Sequence, residues 1–488
     1  MKRRHWVRLD NASNIFLAAR SDADPKVFRM GAELDDEIDA GLLQAALEET
    51  YDRFPLYHAV LRRGVFWHYL QDSDLEPVVR PESEPSCAPL YHVDHRTLLF
   101  RVVHHRRRIS LEVFHALSDG TGALWFLTDL LTAYTRRRYP QEVLPGDTDA
   151  QEARPGSDEW PDPPPSEIGT HPGAQAAEEV HELTTDSFAH YFRGRRRRRA
   201  PSSHEEEFSR EAAPAVLTVE EAEHPHEEHE DAPHPAPAAR RRIHRVRGTR
   251  TPDHRTRVLE LTMPAADVLA LAKAEGVALT MYLTALFFES VRRTDPRALS
   301  DATMAASVPV NLRQFFPSTS ARNFFATIRV QHTFGEGDDS PGAIARALQE
   351  RFSADATPEA LEHRLHTLIR WERLAPARIV PRPLKDLVLR LVNHVNNRQL
   401  TVAISNLGRV TLPEPAQSHV GRMLFHVSAV RPQFCAISHD GQLTISFTSP
   451  FVETAHVREY ARLLAGAGID VSLAAARTTE EELAGVEA

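Results

Sequence analysis

Residues Phe114 to Phe126 read FHALSDGTGALWF, and this stretch decides how the chain is read. Upstream, Ile109, Leu111 and Val113 share one parity of an alternating run, and His115 continues it. Successive side chains of a strand point to opposite faces, so the histidine lies on the face that buries the apolar residues. Downstream, Leu124, Leu127, Leu131 and Tyr134 recur at helical spacing. The stretch therefore reads as strand, tight turn, helix. Gly120 and Gly122 suit a turn with unusual backbone angles or a close approach by a ligand.

Imidazole is the side chain best matched to proton transfer near neutral pH. A partner must fix its second nitrogen if the free one is to act as a base. Asp119 can do that across the turn, or it can bond backbone amides or an arginine and shape the turn instead; the spacing leaves both open. The plain alternative is a semi-buried loop histidine without a function. A metal site is not expected, because no further His, Cys or carboxylate stands nearby at ligand spacing.

The chain around this stretch has 488 residues, more than one ordinary core, which predicts two or three domains. A hydrophobic content of 42% and a charged content of 26% fit a soluble globular protein. The net charge of -10 argues against specific nucleic-acid binding, which needs a positive field. Cys87 and Cys435 lie far apart in no metal spacing, so no disulfide framework is expected. The basic N-terminus lacks an apolar signal core, and no apolar run reaches the ~18 residues of a membrane span. The expected location is the cytoplasm.

Composition divides the chain into 1–145, 146–250 and 251–480. In the first part, Leu34 to Phe54 reads as a helix. Ala59 to Leu61 and Val65 to Leu70 read as a hairpin, and Leu98 to Val103 and Ile109 to Phe114 as two strands. The middle part is crowded with Pro, Glu, His and Arg and reads as a mostly disordered insertion. A short helix near Asp186 to Phe192 is compatible with it. Its basic run Arg193 to Arg199 and its histidines His224, His226, His229 and His234 read as solvated, flexible tracts.

In the last part, strands are expected at Arg257 to Thr262, Thr303 to Val308, Phe324 to Phe334, Leu400 to Ser405, Leu424 to Val430 and Leu443 to Phe447. Helices are expected at Pro264 to Glu275, at Met281 to Arg293 capped by Thr280, from Ser340-Pro341 onward to about Asn396, and near His456 to Leu464. Asp440-Gly441 reads as a hairpin turn. Strands and helices recur in both folded parts, so the fold class is α/β (α+β) with two domains.

His115-Ala-Leu-Ser-Asp119-Gly120 resembles the H-x-x-x-D-G motif of the acyl-CoA-dependent acyltransferase superfamily, which includes chloramphenicol-acetyltransferase-like enzymes, condensation domains and alcohol O-acetyltransferases. Four further segments stand in the order seen in alcohol-acetyltransferase-like members: LDNASNIF, RFPLYHAVLRRGVFWHYL, VPVNLRQFFPSTSARNFF and ISNLGRV. The resemblance covers most of residues 5–145 and 250–470. One position departs from it: many members carry two successive histidines, and here the first is Phe114.

The resemblance implies two chloramphenicol-acetyltransferase-like subdomains with a tunnel between them and His115 at its middle as the catalytic base. It implies acyl-CoA as co-substrate, a small alcohol as acceptor, and no tightly bound cofactor or metal. It implies that Asp119 braces the motif turn by pairing with an arginine of the second domain, for which Arg313 is the candidate. Ser405, Asn406 and Gly408, expected on a turn after a strand, would lie beside the tunnel, and Gly120 would let the thioester approach the backbone. Two alternatives remain at this point: a condensation-type enzyme that draws its thioester from an acyl carrier protein, and a catalytically silent scaffold that kept the fold.

Overall fold

The motif strand Arg108–Phe114 lies inside a sheet, with Phe100–His105 antiparallel on one side and Val27–Leu34 antiparallel on the other. The computed structural model describes residues 6–9, 11–65, 67–142, 242–251, 255–298, 301–372, 380 and 382–475. The basic run, the four histidines and the short helix expected within 146–250 fall outside the described residues.

The first sheet has five strands in the order Val420–Val427, Val27–Leu34, Arg108–Phe114, Phe100–His105, Arg80–Pro81. Its outermost strand, Val420–Val427, comes from the C-terminal half and pairs antiparallel with Val27–Leu34. The C-terminal half therefore completes the sheet that carries His115. The strand Val27–Leu34 is absent from the sequence reading, which began a helix at Leu34. The helix is Ala40–Arg53, and the Asp39 carboxylate caps it by accepting from the amides of Gly41 and Leu42. Almost every residue of VFRMGAEL is buried, so both faces are covered and the alternation that signals a half-exposed strand is missing.

The second sheet is mixed, with seven strands in the order Phe325–Thr333, Thr303–Asn311, Val402–Arg409, Gln433–His439, Gln442–Ser449, Arg257–Pro264, Ser472–Ala475. Val402–Arg409 runs parallel to both of its neighbours. The described chain resumes at Arg242, and residues 242–251 already pack on this half. The amide of His244 donates to Thr303 O at 2.7 Å, and that of Thr251 to Pro450 O at 3.0 Å. A small third sheet joins Trp6–Arg8 and the hairpin Ala59–Arg63/His68–Asp72.

The motif helix Gly120–Arg138 is buried over most of its length and ends on Arg136, Arg137 and Arg138, which complement its C-terminal dipole. Phe126 on this helix stacks on Tyr57 at 4.2 Å and meets Phe54 edge-on at 5.1 Å. These rings knit the motif helix to the segment before the hairpin. Each such burial is worth roughly 1.5–3 kcal/mol. In the other half, helix Leu279–Thr294 fills the same structural place against the second sheet. Its N-cap is Ala278, not Thr280. Thr280 lies inside the first turn, and its hydroxyl oxygen accepts a hydrogen bond from Asn406 instead.

The halves are also pinned by charge. Arg108 bonds Glu33 at 2.9 Å and Glu260 at 3.3 Å, and Arg422 bonds Glu33 and Thr262. The guanidinium groups of Arg422 and Arg108 hold the Glu33 carboxyl down at about 2. Both cysteines are free and buried, and burial pushes both thiols up, so neither is a thiolate at neutral pH. No single helix among the described residues is long and apolar enough to cross a membrane.

Candidate active site

His115 leaves the motif strand at its first turn residue, with its amide donating to Lys26 O at 2.8 Å. Its ring stacks on Phe16 at 3.9 Å with the planes 16° apart. Phe28 meets it edge-on at 5.1 Å and Phe325 is tilted against it at 5.8 Å. Three aromatic side chains from three separate segments thus set the imidazole's orientation.

Heavy atoms crowd the ring although the residue keeps partial accessibility. Burial pushes its pKa from 6.5 down to about 4, against the opposing effects of its own carbonyl oxygen, the Asp119 charge and the Asn323 amide. The ring is therefore neutral at physiological pH and holds a basic lone pair. Nδ1 is sealed from solvent without a hydrogen bond of standard geometry.

The segment 311–325 of the C-terminal half clamps the motif turn. Arg313 Nη1 donates to Asp119 Oδ2 at 2.7 Å, and both side chains are nearly buried. The amide of Phe324 donates to the same oxygen at 2.8 Å, while Asp119 Oδ1 caps the motif helix by accepting from Gly122 N at 2.9 Å. Arg313 Nη2 donates to the carbonyls of Ser320 and Arg322, and its guanidinium lies 5.4 Å from the Trp125 ring centroid. Asn323 Nδ2 donates to His115 O at 2.8 Å and to Ser13 Oγ at 3.0 Å. Ser118 Oγ donates to Ala321 O at 2.6 Å.

The glycines act differently from the expectation. Neither Gly120 nor Gly122 takes a left-handed conformation. A Cβ on Gly122 would stand 2.2 Å from Ala321 O, so the need is close approach of backbone to backbone. A Cβ on Gly120 would meet Leu407 Cδ2 at 3.0 Å, and Met30 and Phe425 beyond it. Apolar side chains thus line the direction a Gly120 side chain would take.

Ser405, Asn406 and Gly408 do not form a turn after a strand. They lie within strand Val402–Arg409, whose pairing with Gln433–His439 slips between Asn406 and Arg409. Gly408, at φ 73°, absorbs the irregularity, and Asn406 Oδ1 accepts from Gly408 N at 2.8 Å. Asn406 Nδ2 is engaged with Thr280 Oγ1 at 3.0 Å. What meets the motif turn from this strand is Leu407.

Phe16, Phe28, Asn323 and Phe325 were not singled out as site residues in the sequence. Phe16, Asn323 and Phe325 lie within the quoted segments LDNASNIF and VPVNLRQFFPSTSARNFF, so those segments held the signal. Phe114, the position that departs from the double histidine, is buried and stacks on Tyr91 at 5.7 Å. Among the described residues there is no group of three or more His, Cys, Asp or Glu that could hold a metal ion.

Two sheet-and-helix halves, a strand of one completing the sheet of the other, and a histidine turn clamped where they meet define the chloramphenicol-acetyltransferase-like fold, shared by acyltransferases and condensation domains. Polyketide synthase associated protein 5 from Mycobacterium tuberculosis is similar over 94% of this chain and 96% of its own, with 13% identity and a TM-score of 0.54. Trichothecene 15-O-acetyltransferase TRI3 from Fusarium sporotrichioides is similar over 95% and 94%, with 10% identity and a TM-score of 0.53. A mutant starter condensation domain of rhizomide synthetase RzmA, in complex with C8-CoA and Leu-SNAC, is similar over 95% and 94%, with 12% identity and a TM-score of 0.52. No family model matches the chain, and no curated protein matches it in sequence.

Proposed function

We propose that this protein is an acyltransferase that moves an acyl group from coenzyme A to an alcohol, with His115 as general base. The observation that carries the reading is a neutral, aromatic-clamped imidazole on a turn held by both halves. Nδ1 is sealed from solvent, and the scheme therefore puts the ring proton there. With the proton on Nδ1, the lone pair on Nε2 is the base.

In the proposed reaction, Nε2 takes the proton of the acceptor hydroxyl as its oxygen attacks the thioester carbonyl. The tetrahedral oxyanion collapses, the C–S bond breaks, and the imidazolium returns the proton to the departing thiolate. General-base action supplies about 10²–10⁴-fold, and holding both substrates together adds the proximity term. Asp119, Arg313 and Asn323 are positioning residues in this scheme. They fix the turn and do not touch the reacting atoms. Ser405 is left as the candidate donor to the oxyanion, since the Asn406 amide already serves Thr280.

Thiol release from acyl-CoA in the presence of an alcohol panel tests the reading. The wild type should release thiol at least about 100-fold faster than His115→Ala. Equal rates in the two proteins would sink it.

A further inference from the structure

The helix Arg382–Arg398 carries Leu384, Leu387, Leu391 and Val395 along one side at spacings of three, four and four residues. All four are exposed, Leu387 at 61% and Leu391 at 63%. A surface helix ordinarily turns such a stripe inward. Here Val388, Val392 and Leu389, successively further round the helix from the stripe, are only half-buried, and the stripe itself is exposed.

The helix rests on two neighbours that also expose apolar groups. Arg390 Nε donates to Ala18 O at the end of helix Asn11–Ala19, whose Ile15 is 42% exposed. Lys385 Nζ lies 3.6 Å from the Trp67 ring centroid, on the hairpin whose tip residue Val65 is 74% exposed. Trp6, 66% exposed, packs edge-on against Tyr69 of the same hairpin. Seven of the ten large hydrophobics exposed among the described residues thus fall on these adjoining elements.

The chain is acidic overall, at -10, but this corner is basic. The helix carries Lys385, Arg390 and Arg398 against the carboxylate Asp386. Burial lowers the Arg20 guanidinium, and the charges of Arg63 and Arg390 add to that effect while Tyr91 and Asp22 oppose it. Arg63 and Arg390 also line one cavity with His68, Pro383 and Asp386. The centre of a protein–protein interface is depleted of charge. An aliphatic stripe and an exposed tryptophan beside converging arginines fit a surface that is apolar inside and anionic at its rim.

We propose that this corner docks the protein on an anionic lipid surface, with the Leu384–Val395 stripe and Val65 entering the headgroup boundary and the arginines meeting phosphates. The contact is interfacial, since the helix lies along the surface of the fold instead of crossing a bilayer. It is independent of the role given to His115, and binding reads it without turnover.

The test uses the full chain and sedimentation with vesicles of phosphatidylcholine alone or mixed with phosphatidylglycerol. The wild type should bind the mixed vesicles and release them as salt rises. Leu387→Asp/Leu391→Asp should lower partitioning at least about tenfold with the thermal midpoint unchanged. Arg63→Glu/Arg390→Glu should lower binding to the mixed vesicles toward the level seen with phosphatidylcholine alone. No binding by the wild type, or equal binding by the leucine variant, would overturn the proposal, because basic residues elsewhere would then account for any attraction. A wild-type dimer that the leucine variant dissociates, read by light scattering, would also overturn it, by showing that a second copy covers the stripe.

Discussion

Arg313 Nη1 sits 2.7 Å from Asp119 Oδ2, across 194 residues of sequence and across the junction of the two halves. The pair is 7% and 6% exposed, so neither charge is satisfied by bulk water. Asp119 spends its remaining capacity on two amides, Gly122 N and Phe324 N. One carboxylate therefore fixes the start of the motif helix and the path of the opposing segment together. Aspartate at this place needs no contact with the imidazole to control where the imidazole stands.

Removing the arginine leaves Asp119 buried and uncompensated. Breaking a buried pair by deleting one partner typically costs about 3–5 kcal/mol. Arg313→Ala should lose that much in a denaturant titration, and Asp119→Asn/Arg313→Ala should lose clearly less than the two single changes added together. Additive losses would mean that the two side chains stabilise the fold separately.

The glycines give a paired prediction. Gly122→Ala drives a methyl to within 2.2 Å of a backbone oxygen, and neither partner can rotate away. Gly120→Ala meets the end of a leucine side chain at 3.0 Å, which can adjust. Overpacking of a tight site costs about 1–3 kcal/mol. Gly122→Ala should sit at or beyond the top of that range and Gly120→Ala near the bottom, as read by chemical denaturation. The reverse order would mean that the segment carrying Ala321 yields more easily than Leu407.

Much of this arrangement was legible in the sequence, and what was missed has physical causes. The parity of Ile109, Leu111 and Val113 put His115 on a buried face, and the helical spacing after Gly120 located the motif helix. The strand Val27–Leu34 escaped because both of its faces are covered and because it contains Arg29. That arginine is buried because two carboxylates pair with it: Glu112, on the adjacent strand, accepts from its Nε at 2.8 Å, and Glu82 accepts from its Nη1. No local pattern announces a partner 83 residues away. The same holds for Asn323, whose role appears only when a distant loop folds over the His115 carbonyl. Asn406 and Gly408 looked like a turn because Asn and Gly favour turns, yet the same preferences serve a strand irregularity.

Buried imidazoles make stability depend on pH in a definite direction. His115 and His456 are pushed from 6.5 to about 4 by burial, and His426 well below its ordinary value by the same cause. Between pH 6.5 and 4 the unfolded chain binds protons that the folded chain refuses, so stability falls as pH falls through that window. Glu33 adds a second, lower window: its stabilising pairing is complete above about 4.5 and is lost as pH approaches 2. The thermal midpoint should therefore drop steadily from pH 6.5 to 4, and His456→Leu should flatten the slope by about one proton. A midpoint unchanged across this range would mean that these rings are protonated in the folded state.

The depressed His115 pKa also shapes the rate. A free imidazole would lose its basic form below pH 6.5, but this one stays neutral until about 4. On the proposed mechanism, kcat/KM for acyl transfer should be flat from neutral pH down to about 5 and fall only on the acid side of that, since it reports the free enzyme's base. Asn323 favours the protonated ring, so Asn323→Ala should move the acid limb lower still while reducing kcat through a less well-held His115 carbonyl. An acid limb near 6.5 would show that the ring titrates as if in water. An unshifted limb with unchanged kcat would remove Asn323 from the list of positioning residues.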